Sequence, residues 1–174
     1  GYIAQNATAR GRDSFGVFAF DKNGNKVCTE KVIGKNTEAA MNFLPKKARV
    51  VISNNRAEPT TEFIKEKSAE DIQPFTDING RFYVVHNGTI ANDKELIKKY
   101  DLKVNTKIDS AVIPELLREK WTADTPSLKF SQLRDILTEE LVGSYSLSIY
   151  DSQEPDALYL VTNYKPLFLE YWND

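Results

Sequence analysis

The chain contains one stretch that joins an apolar strand pattern to a polar turn, Arg81-Phe82-Tyr83-Val84-Val85-His86-Asn87-Gly88-Thr89-Ile90. Its first half is aromatic and β-branched, which predicts a buried strand over residues 81–86. Asn87 and Gly88 would then form a turn that leads into a helix beginning near Asn92. Such a strand delivers an amide side chain and a glycine N–H to one place, and two donors of this kind can stabilise an oxyanion. Taken alone, His-Asn-Gly is more often an ordinary strand end.

The composition predicts one globular domain over residues 1–174. Hydrophobic residues make up 41% and charged residues 28%, and the net charge of −2 favours neither nucleic acid nor an anionic membrane as a partner. No apolar run is long enough to cross a bilayer, and Cys28 is the one cysteine, so we expect a cytoplasmic protein. His86 is the one histidine, which disfavours a histidine-rich metal site or a Ser-His-Asp triad. We therefore expect no metal and no cofactor.

The order of predicted elements favours the α+β class. Strands are predicted at 14–21, 26–34, 48–53, 74–78, 81–86, 144–150, 157–163 and from 165 to 169, and helices at 4–10, between 36 and 45, at 92–100, 111–121 and 128–141. A long polar segment, 54–73, separates the third strand from the fourth. This order lacks the regular βαβ alternation of a parallel sheet, and it suits antiparallel sheets packed face to face with helices outside.

Several short motifs, taken together, make the chain resemble the glutaminase domain of class II glutamine amidotransferases, which are N-terminal-nucleophile (Ntn) hydrolases. In chain order these motifs are Arg10-Gly11-Arg12-Asp13-Ser14-Phe15-Gly16, Asn55-Arg56, Gln73-Pro74-Phe75, Val85-His86-Asn87-Gly88-Thr89-Ile90 with Asn92, and Ile108-Asp109-Ser110, with a weaker match at Leu141-Val142-Gly143-Ser144-Tyr145 and Lys165-Pro166-Leu167. The resemblance implies a four-layer αββα sandwich of two antiparallel sheets. It also implies hydrolysis of glutamine to glutamate and ammonia, which usually feeds a synthase.

The resemblance assigns a role to four residues. Asn87 and Gly88 would form the oxyanion hole, Arg56 would hold the α-carboxylate of glutamine, and Asp109 would hold its α-ammonium group. The chemistry agrees, because a guanidinium group binds a carboxylate through two parallel hydrogen bonds and a carboxylate attracts an ammonium group. Without the resemblance, a surface arginine and an ordinary helix cap would be the preferred interpretations of Arg56 and Asp109.

Other polar residues of these motifs are interpreted as structural. Arg10 and Asp13 are expected to form an internal ion pair that orders the start of the first strand. His86 is interpreted as a core histidine with its hydrogen bonds satisfied, rather than as a general base. Cys28 lies in the middle of a predicted strand and is expected to be a packed, unreactive thiol.

The family nucleophile is an N-terminal cysteine whose own α-amino group acts as the base, whereas residue 1 here is glycine. Two interpretations stay open. In the first, residues that carry the cysteine precede the printed sequence, since Gly1-Tyr2-Ile3 matches the end of a common family opening. In the second, the chain is a non-catalytic binding or scaffold module of the same fold. We favour the first, because all four residues with an assigned role are present.

A second departure from the family lies at residues 57–61, where an aromatic residue and a histidine are common, and it puts strict glutamine specificity in question. The acceptor of the ammonia is also open. We expect glutamine as the substrate and a separate synthase chain as a possible partner, unless the chain acts alone or is a fragment. An asparagine-synthetase-like half is disfavoured, because the sequence contains no nucleotide-binding domain.

Overall fold

The computed structural model describes residues 11, 13–34, 45–57 and 67–171. Its strands are β1 (Ser14–Phe20), β2 (Lys26–Ile33), β3 (Val50–Arg56), β4 (Phe75–Thr76), β5 (Phe82–Ile90), β6 (Gly143–Asp151) and β7 (Tyr159–Asn163). Its α-helices are α1 (Asp93–Tyr100), α2 (Val112–Lys120) and α3 (Pro126–Glu140), and short 3-10 helices lie at Ala69–Asp71 and Asp109–Ala111. None of the helices in this described part is long and apolar enough to cross a membrane.

The strands form two antiparallel sheets. Sheet 1 has the order β2-β1-β3 and sheet 2 the order β4-β5-β6-β7. The longest pairing joins β5 to β6, from Phe82 opposite Asp151 to Ile90 opposite Gly143. The predicted α+β class with two antiparallel sheets is confirmed.

Aromatic side chains fill the space between the two sheets. Phe18, Phe20 and Ile52 of sheet 1 pack with Tyr83 and Tyr150 of sheet 2. The ring centroid of Phe20 lies 4.6 Å from that of Tyr83 and 4.4 Å from that of Tyr150. Ring pairs at this separation add about 1 kcal/mol each to the stabilisation from apolar burial. The two sheets are therefore held tightly together where these rings meet.

The other face of sheet 2 is covered by the helices. Phe82 and Val84 of β5 face this layer, because side chains alternate along a strand and their neighbour Tyr83 faces sheet 1. Trp121, directly after α2, stacks on Phe82 at a centroid distance of 5.3 Å and an interplanar angle of 10°. Leu137 of α3 belongs to the same buried cluster. This layer fixes the end of α2 against β5.

The structure corrects two predicted boundaries that matter for the site. Asn87 and Gly88 were expected in a turn, but β5 continues through both of them to Ile90. Arg56 was expected in a loop, but it is the last residue of β3 and pairs with Ser14 of β1. In both cases pairing with a neighbouring strand extends a segment whose own sequence is polar.

Other expectations have different outcomes. Residues 165–169 are not a strand. The helices predicted at 4–10 and between 36 and 45, the partner Arg10 of the expected ion pair, and most of the departure at 57–61 lie outside the described residues.

Candidate active site

One edge of β5 presents backbone N–H groups to acceptors that do not belong to β6. The N–H of His86 donates to Oε1 of Gln73 at 2.8 Å. The N–H of Ile90 donates to Oδ2 of Asp109 at 2.6 Å. Because N–H directions alternate along a strand, the N–H of Gly88 lies in the same row, between those two. The carboxylate of Asp109 is thereby held beside the strand that carries Gly88.

The pleat of the strands directs two of the predicted site residues into the space between the sheets. Asn87 is four residues after Tyr83 on β5, so it shares the face that looks towards sheet 1. Arg56 is four residues after Ile52 on β3, so it shares the face that looks towards sheet 2. Asn87 is exposed and Arg56 is half-buried, so this end of the space between the sheets is open to solvent.

Gly88 occupies a position that no other residue fits. Its φ is +147°, and a Cβ built there would lie 1.9 Å from the carbonyl oxygen of Ser144. The same Cβ would lie 2.9 Å from Nε2 of His86. The glycine therefore allows β6 and the imidazole ring to approach the backbone next to Asn87.

Asp109 lies at the start of the 3-10 helix that precedes α2, and three donors hold its carboxylate. Besides the N–H of Ile90 on Oδ2, the N–H of Ser110 donates to Oδ1 at 2.7 Å and the Ser110 hydroxyl to the same oxygen at 3.1 Å. The helix-start position of Asp109 was predicted as a cap, but its carboxylate bonds to β5 and to its direct neighbour.

His86 is buried under this arrangement. Its Nδ1 lies 2.6 Å from the hydroxyl oxygen of Ser110. Its Nε2 makes no well-formed hydrogen bond among the described residues, although the Ser144 backbone lies close enough to favour a protonated ring. The expectation of a histidine with all its hydrogen bonds satisfied therefore describes only one of the two ring nitrogens.

The pKa of His86 reports the charges that surround the ring. Burial lowers the pKa, the nearby carboxylate of Asp109 opposes that shift, and the positive charges of Arg56 and Lys165 add to it. Residues from β3, from the start of the helical segment and from the chain after β7 therefore all act on one imidazole. A lowered pKa favours the neutral form of the ring at pH 7.

The chain near its beginning packs against the strand end that carries Arg56. A Cβ on Gly11 would lie 2.6 Å from the carbonyl group of Asn55 and 2.7 Å from the carbonyl carbon of Arg56. The N–H of Asp13 donates to the carbonyl oxygen of Arg56 at 3.0 Å. The motif that contains Gly11 and Asp13 is thus a neighbour of Arg56 in space as well as a sequence signal.

Sequence reasoning assigned no role to Gln73 or Ser110. Both side chains are buried polar groups that bond to the strand or to the helix start. The only sequence signal for them was their place beside motif residues, Gln73 before Pro74-Phe75 and Ser110 after Asp109. A buried amide or hydroxyl cannot be recognised from a pattern of hydrophobicity, because exposed polar residues give the same pattern.

Cys28 lies in β2 opposite Ala19 and is partly exposed. Burial, with a smaller contribution from the charge of Glu30, raises the pKa of its thiol. A raised pKa keeps the thiol protonated and unreactive at neutral pH. Over the part of the chain that the structure describes, no three His, Cys, Asp or Glu side chains are grouped as metal ligands.

Comparison with known proteins links these features to a family. A family model described as a glutamine amidotransferase domain matches residues 60–174. The 7-cyano-7-deazaguanine synthase of Saccharolobus solfataricus is 46% identical over 97% of this chain and 35% of its own length. The glutamine–fructose-6-phosphate aminotransferase of Aquifex aeolicus is 32% identical over 92% of this chain and 26% of its own length. The chain therefore spans about a third or less of these curated relatives.

Solved structures show the same fold. The glutamine phosphoribosylpyrophosphate amidotransferase of B. subtilis superposes with a TM-score of 0.63 at 23% identity, over 87% of this chain and 32% of that one. A structure described as the allosteric regulatory enzyme of purine biosynthesis gives a TM-score of 0.64 at 20% identity, over 87% of this chain and 33% of its own. The family model covers well over half of the sequence, and the chain belongs to the glutamine amidotransferase domain family.

Proposed function

We propose that this domain binds glutamine and, with an N-terminal cysteine as nucleophile, hydrolyses it to glutamate and ammonia. The main support for the proposal is the row of backbone N–H groups along one edge of β5. There the N–H of Gly88 lies in one row with the N–H of Ile90, which holds Asp109 at 2.6 Å. An oxyanion donor and an ammonium acceptor are thus adjacent on one strand end, as a small amino-acid substrate requires.

Charge and direction support the substrate-binding roles. Arg56 is directed between the sheets from β3, and its guanidinium group would hold the α-carboxylate of glutamine. Asp109 would accept hydrogen bonds from the α-ammonium group. Both charges act on the pKa of His86, which supports their lying near one another. A cation and an anion near Asn87 would match the two charged groups of a free amino acid.

The chemistry assigned to the site is acyl transfer through a thioester. The cysteine thiol would attack the side-chain amide carbon of glutamine, its proton passing to the α-amino group of that cysteine and then to the leaving nitrogen, which departs as ammonia. Asn87 Nδ2 and the N–H of Gly88 would stabilise the oxyanion. Water would then attack the thioester and release glutamate and the free thiol.

The contact of Gly11 with the backbone of Arg56 supports a nucleophile near residue 1. A fully extended chain of ten residues spans at most about 36 Å, which limits how far residue 1 can lie from Gly11. Cys28 does not suit the role, because its α-amino group is part of a peptide bond and its thiol has a raised pKa.

The names of the relatives suggest the use of the ammonia. We propose that it supplies a nitrogen atom to a synthase reaction, of the kind named for 7-cyano-7-deazaguanine synthase, which is similar over 35% of its length. Two arrangements are compatible with this proposal: the synthase is part of the same polypeptide, or it is a separate chain. Ammonia release that depends on an added synthase chain would identify the second arrangement.

The test compares the chain as printed with a variant that begins with a free cysteine before Gly1. We expect ammonia release from glutamine by the cysteine variant and none by the printed chain. A matched control variant carries serine in place of the added cysteine, with its α-amino group acetylated, and should also release none. In the cysteine variant, Asn87→Ala should lower kcat about a hundredfold, as the loss of one oxyanion donor does. Arg56→Ala and Asp109→Asn should act mainly on KM.

Two results would contradict the proposal. Turnover by the printed chain would show that the nucleophile has been misassigned. A folded cysteine variant that neither releases ammonia nor binds glutamine in calorimetry would favour the alternative, a non-catalytic module on the same fold.

A further inference from the structure

We propose that His86 and Ser110 are positioning residues: they orient the carboxylate of Asp109 so that one lone pair of its Oδ2 faces the α-ammonium group of glutamine. The inference rests on the function proposed above and adds to it two buried residues with a defined task.

The hydrogen bonds of Asp109 make the carboxylate directional. A carboxylate has about four lone-pair positions, two on each oxygen. Oδ1 accepts from the N–H and the hydroxyl of Ser110, at 2.7 and 3.1 Å, and both its positions are used. Among the described residues, Oδ2 accepts from the N–H of Ile90 at 2.6 Å, which uses one position. An ammonium group would occupy the second position on Oδ2.

The hydroxyl of Ser110 can serve Asp109 only if its own oxygen accepts a hydrogen bond. A serine hydroxyl has one proton, and donating it to Oδ1 leaves the oxygen as an acceptor. Nδ1 of His86 lies 2.6 Å from that oxygen, and we assign the proton to Nδ1, so that the ring donates to the hydroxyl oxygen. His86 and Ser110 are 3% and 2% exposed, and water does not compete for these bonds. The ring therefore fixes the direction of the hydroxyl, and the hydroxyl fixes the carboxylate.

The same strand carries the oxyanion donors. The backbone N–H of His86 donates to Gln73 at 2.8 Å, and the next two residues are Asn87 and Gly88. Movement of the His86 ring would thus shift both the carboxylate of Asp109 and the oxyanion donors Asn87 and Gly88. A purely structural role for His86 would stabilise the fold without changing the preference for an ammonium group, and this difference can be measured.

The charge of the ring should also matter. The charged groups that act on the imidazole are Asp109 from the helix start, Arg56 from β3 and Lys165 from the segment after β7. A protonated His86 would add a third positive charge beside the place of the ammonium group. Glutamine binding should therefore weaken as pH falls through the pKa of His86, which burial holds below its usual value of 6.5.

The first experiment measures binding by calorimetry to the chain as printed, which we expect not to turn glutamine over. The probes are glutamine and 4-carbamoylbutanoate, which has the same amide and carboxylate without the α-amino group. Ser110→Ala should weaken glutamine binding about tenfold, the effect of one hydrogen bond in the network, and leave the analogue within twofold. Ser110→Thr should restore glutamine binding. Ser148→Ala, a half-buried serine on β6, is the matched control and should change neither.

The second experiment observes the ring directly. His86 is the one histidine in the sequence, so its imidazole nitrogen signals in NMR spectra of the untagged chain need no assignment. We expect the Nδ1–H tautomer at pH 7 and a pKa below the usual value. Ser110→Ala should shift the tautomer balance, and His86→Asn, whose side-chain amide can donate from a similar place, should keep part of the preference for glutamine.

The outcomes separate this inference from the proposed function. If Asp109→Asn does not reduce the preference for glutamine over the analogue, the ammonium-binding role of Asp109 fails. If Asp109→Asn reduces it and Ser110→Ala does not, or if Ser110→Ala weakens both ligands equally, the positioning role is overturned. An Nε2–H tautomer in the unmodified chain would overturn it as well, even if every Ser110 variant failed to fold.

Discussion

The two ends of strand β5 differ in almost every physical respect. At the first end, Phe82 is fully buried against the helices and Tyr83 is packed between the sheets. At the second end, Asn87 and Gly88 are exposed, and the backbone between His86 and Ile90 bonds to polar side chains. One strand therefore contributes stability at one end and a candidate site at the other.

The difference shows how a rigid site can be made from an exposed strand end. At the Phe82 end the position of the strand is fixed by apolar contacts on both faces. At the Gly88 end it is fixed by side-chain acceptors, Gln73 and Asp109, that hold the backbone from one edge. Hydrogen bonds of this kind leave the face of the strand open, so a ligand can approach Asn87 without displacing packed side chains.

The largest expected effect lies at the apolar end. Phe82→Ala should lower the free energy of unfolding by about 4 kcal/mol, because it removes a fully buried ring that stacks on Trp121. The measurement is urea denaturation, with Phe168→Ala, a residue that is 89% exposed, as the matched control expected within about 0.5 kcal/mol. A loss below about 2 kcal/mol would contradict the stabilising role of the Phe82 end. A change in the glutamine affinity of the folded protein would contradict the separation of this end from the candidate site.

A smaller loss of stability is expected at the polar end, where it should come with a loss of function. Gly88→Ala places a methyl group 1.9 Å from the Ser144 oxygen at a φ of +147°. We expect a loss of about 3 kcal/mol in the free energy of unfolding. Gly34→Ala is the control, since its φ is +86° with no atom within 4 Å of the added Cβ, and it should cost about 1 kcal/mol. Equal losses in the two variants would mean that the close approach of β6 is unimportant.

The smallest expected effect concerns Glu140, whose backbone oxygen accepts a hydrogen bond from the side chain of Asn92, two residues after β5. Glu140 at the end of α3 accepts hydrogen bonds from Lys99, Tyr100 and Lys120. Burial alone would raise the pKa of Glu140, but these bonds from Lys120, Tyr100 and Lys99 outweigh it and lower the pKa to about 2. Glu140→Gln should lower the free energy of unfolding at pH 7 by about 2 kcal/mol.

The pH dependence of Glu140 follows from the sign of its shift. Because the folded state holds the proton less tightly than the unfolded state, the stabilisation is complete above the ordinary value of 4.5 and is lost as pH falls towards about 2. Denaturation of the unmodified chain should show this slope, and Glu140→Gln should lack that part of it. A slope that is unchanged by the substitution would assign it to other carboxylates.

Secondary structure was predicted best from the sequence where a single interaction, such as burial, determines it. Strand β1 was predicted to within one residue, because burial on both faces requires an unbroken run of apolar and small residues. The stacked antiparallel sheets followed from the order of elements. Residues 165–169 were wrongly predicted as a strand, because an apolar segment with a proline and exposed Phe168 and Leu169 has the same composition as an edge strand.

The candidate site was predicted less completely, for a physical reason. Asn87 and Gly88 were placed in a turn because Asn-Gly favours turns, yet pairing with β6 keeps both in a strand, with Gly88 at a φ that only glycine tolerates. Arg56 was placed in a loop because Ser53, Asn54 and Asn55 before it are polar, yet β1 pairs with all of them. The assignment of these residues to glutamine binding stays a prediction until binding is measured.

The placement of β5 beside β6 has a consequence for how the chain reaches its native state. The turn between β1 and β2 spans residues 21–25, whereas residues 91–142, which include α1, α2 and α3, lie between β5 and β6. A loop roughly ten times longer costs about 2 kcal/mol more in closure entropy. The β1–β2 hairpin can form from local contacts, but β6 can reach the Asn87–Gly88 end only after the intervening helices have shortened the path. The candidate site is therefore expected among the last parts of the chain to assemble.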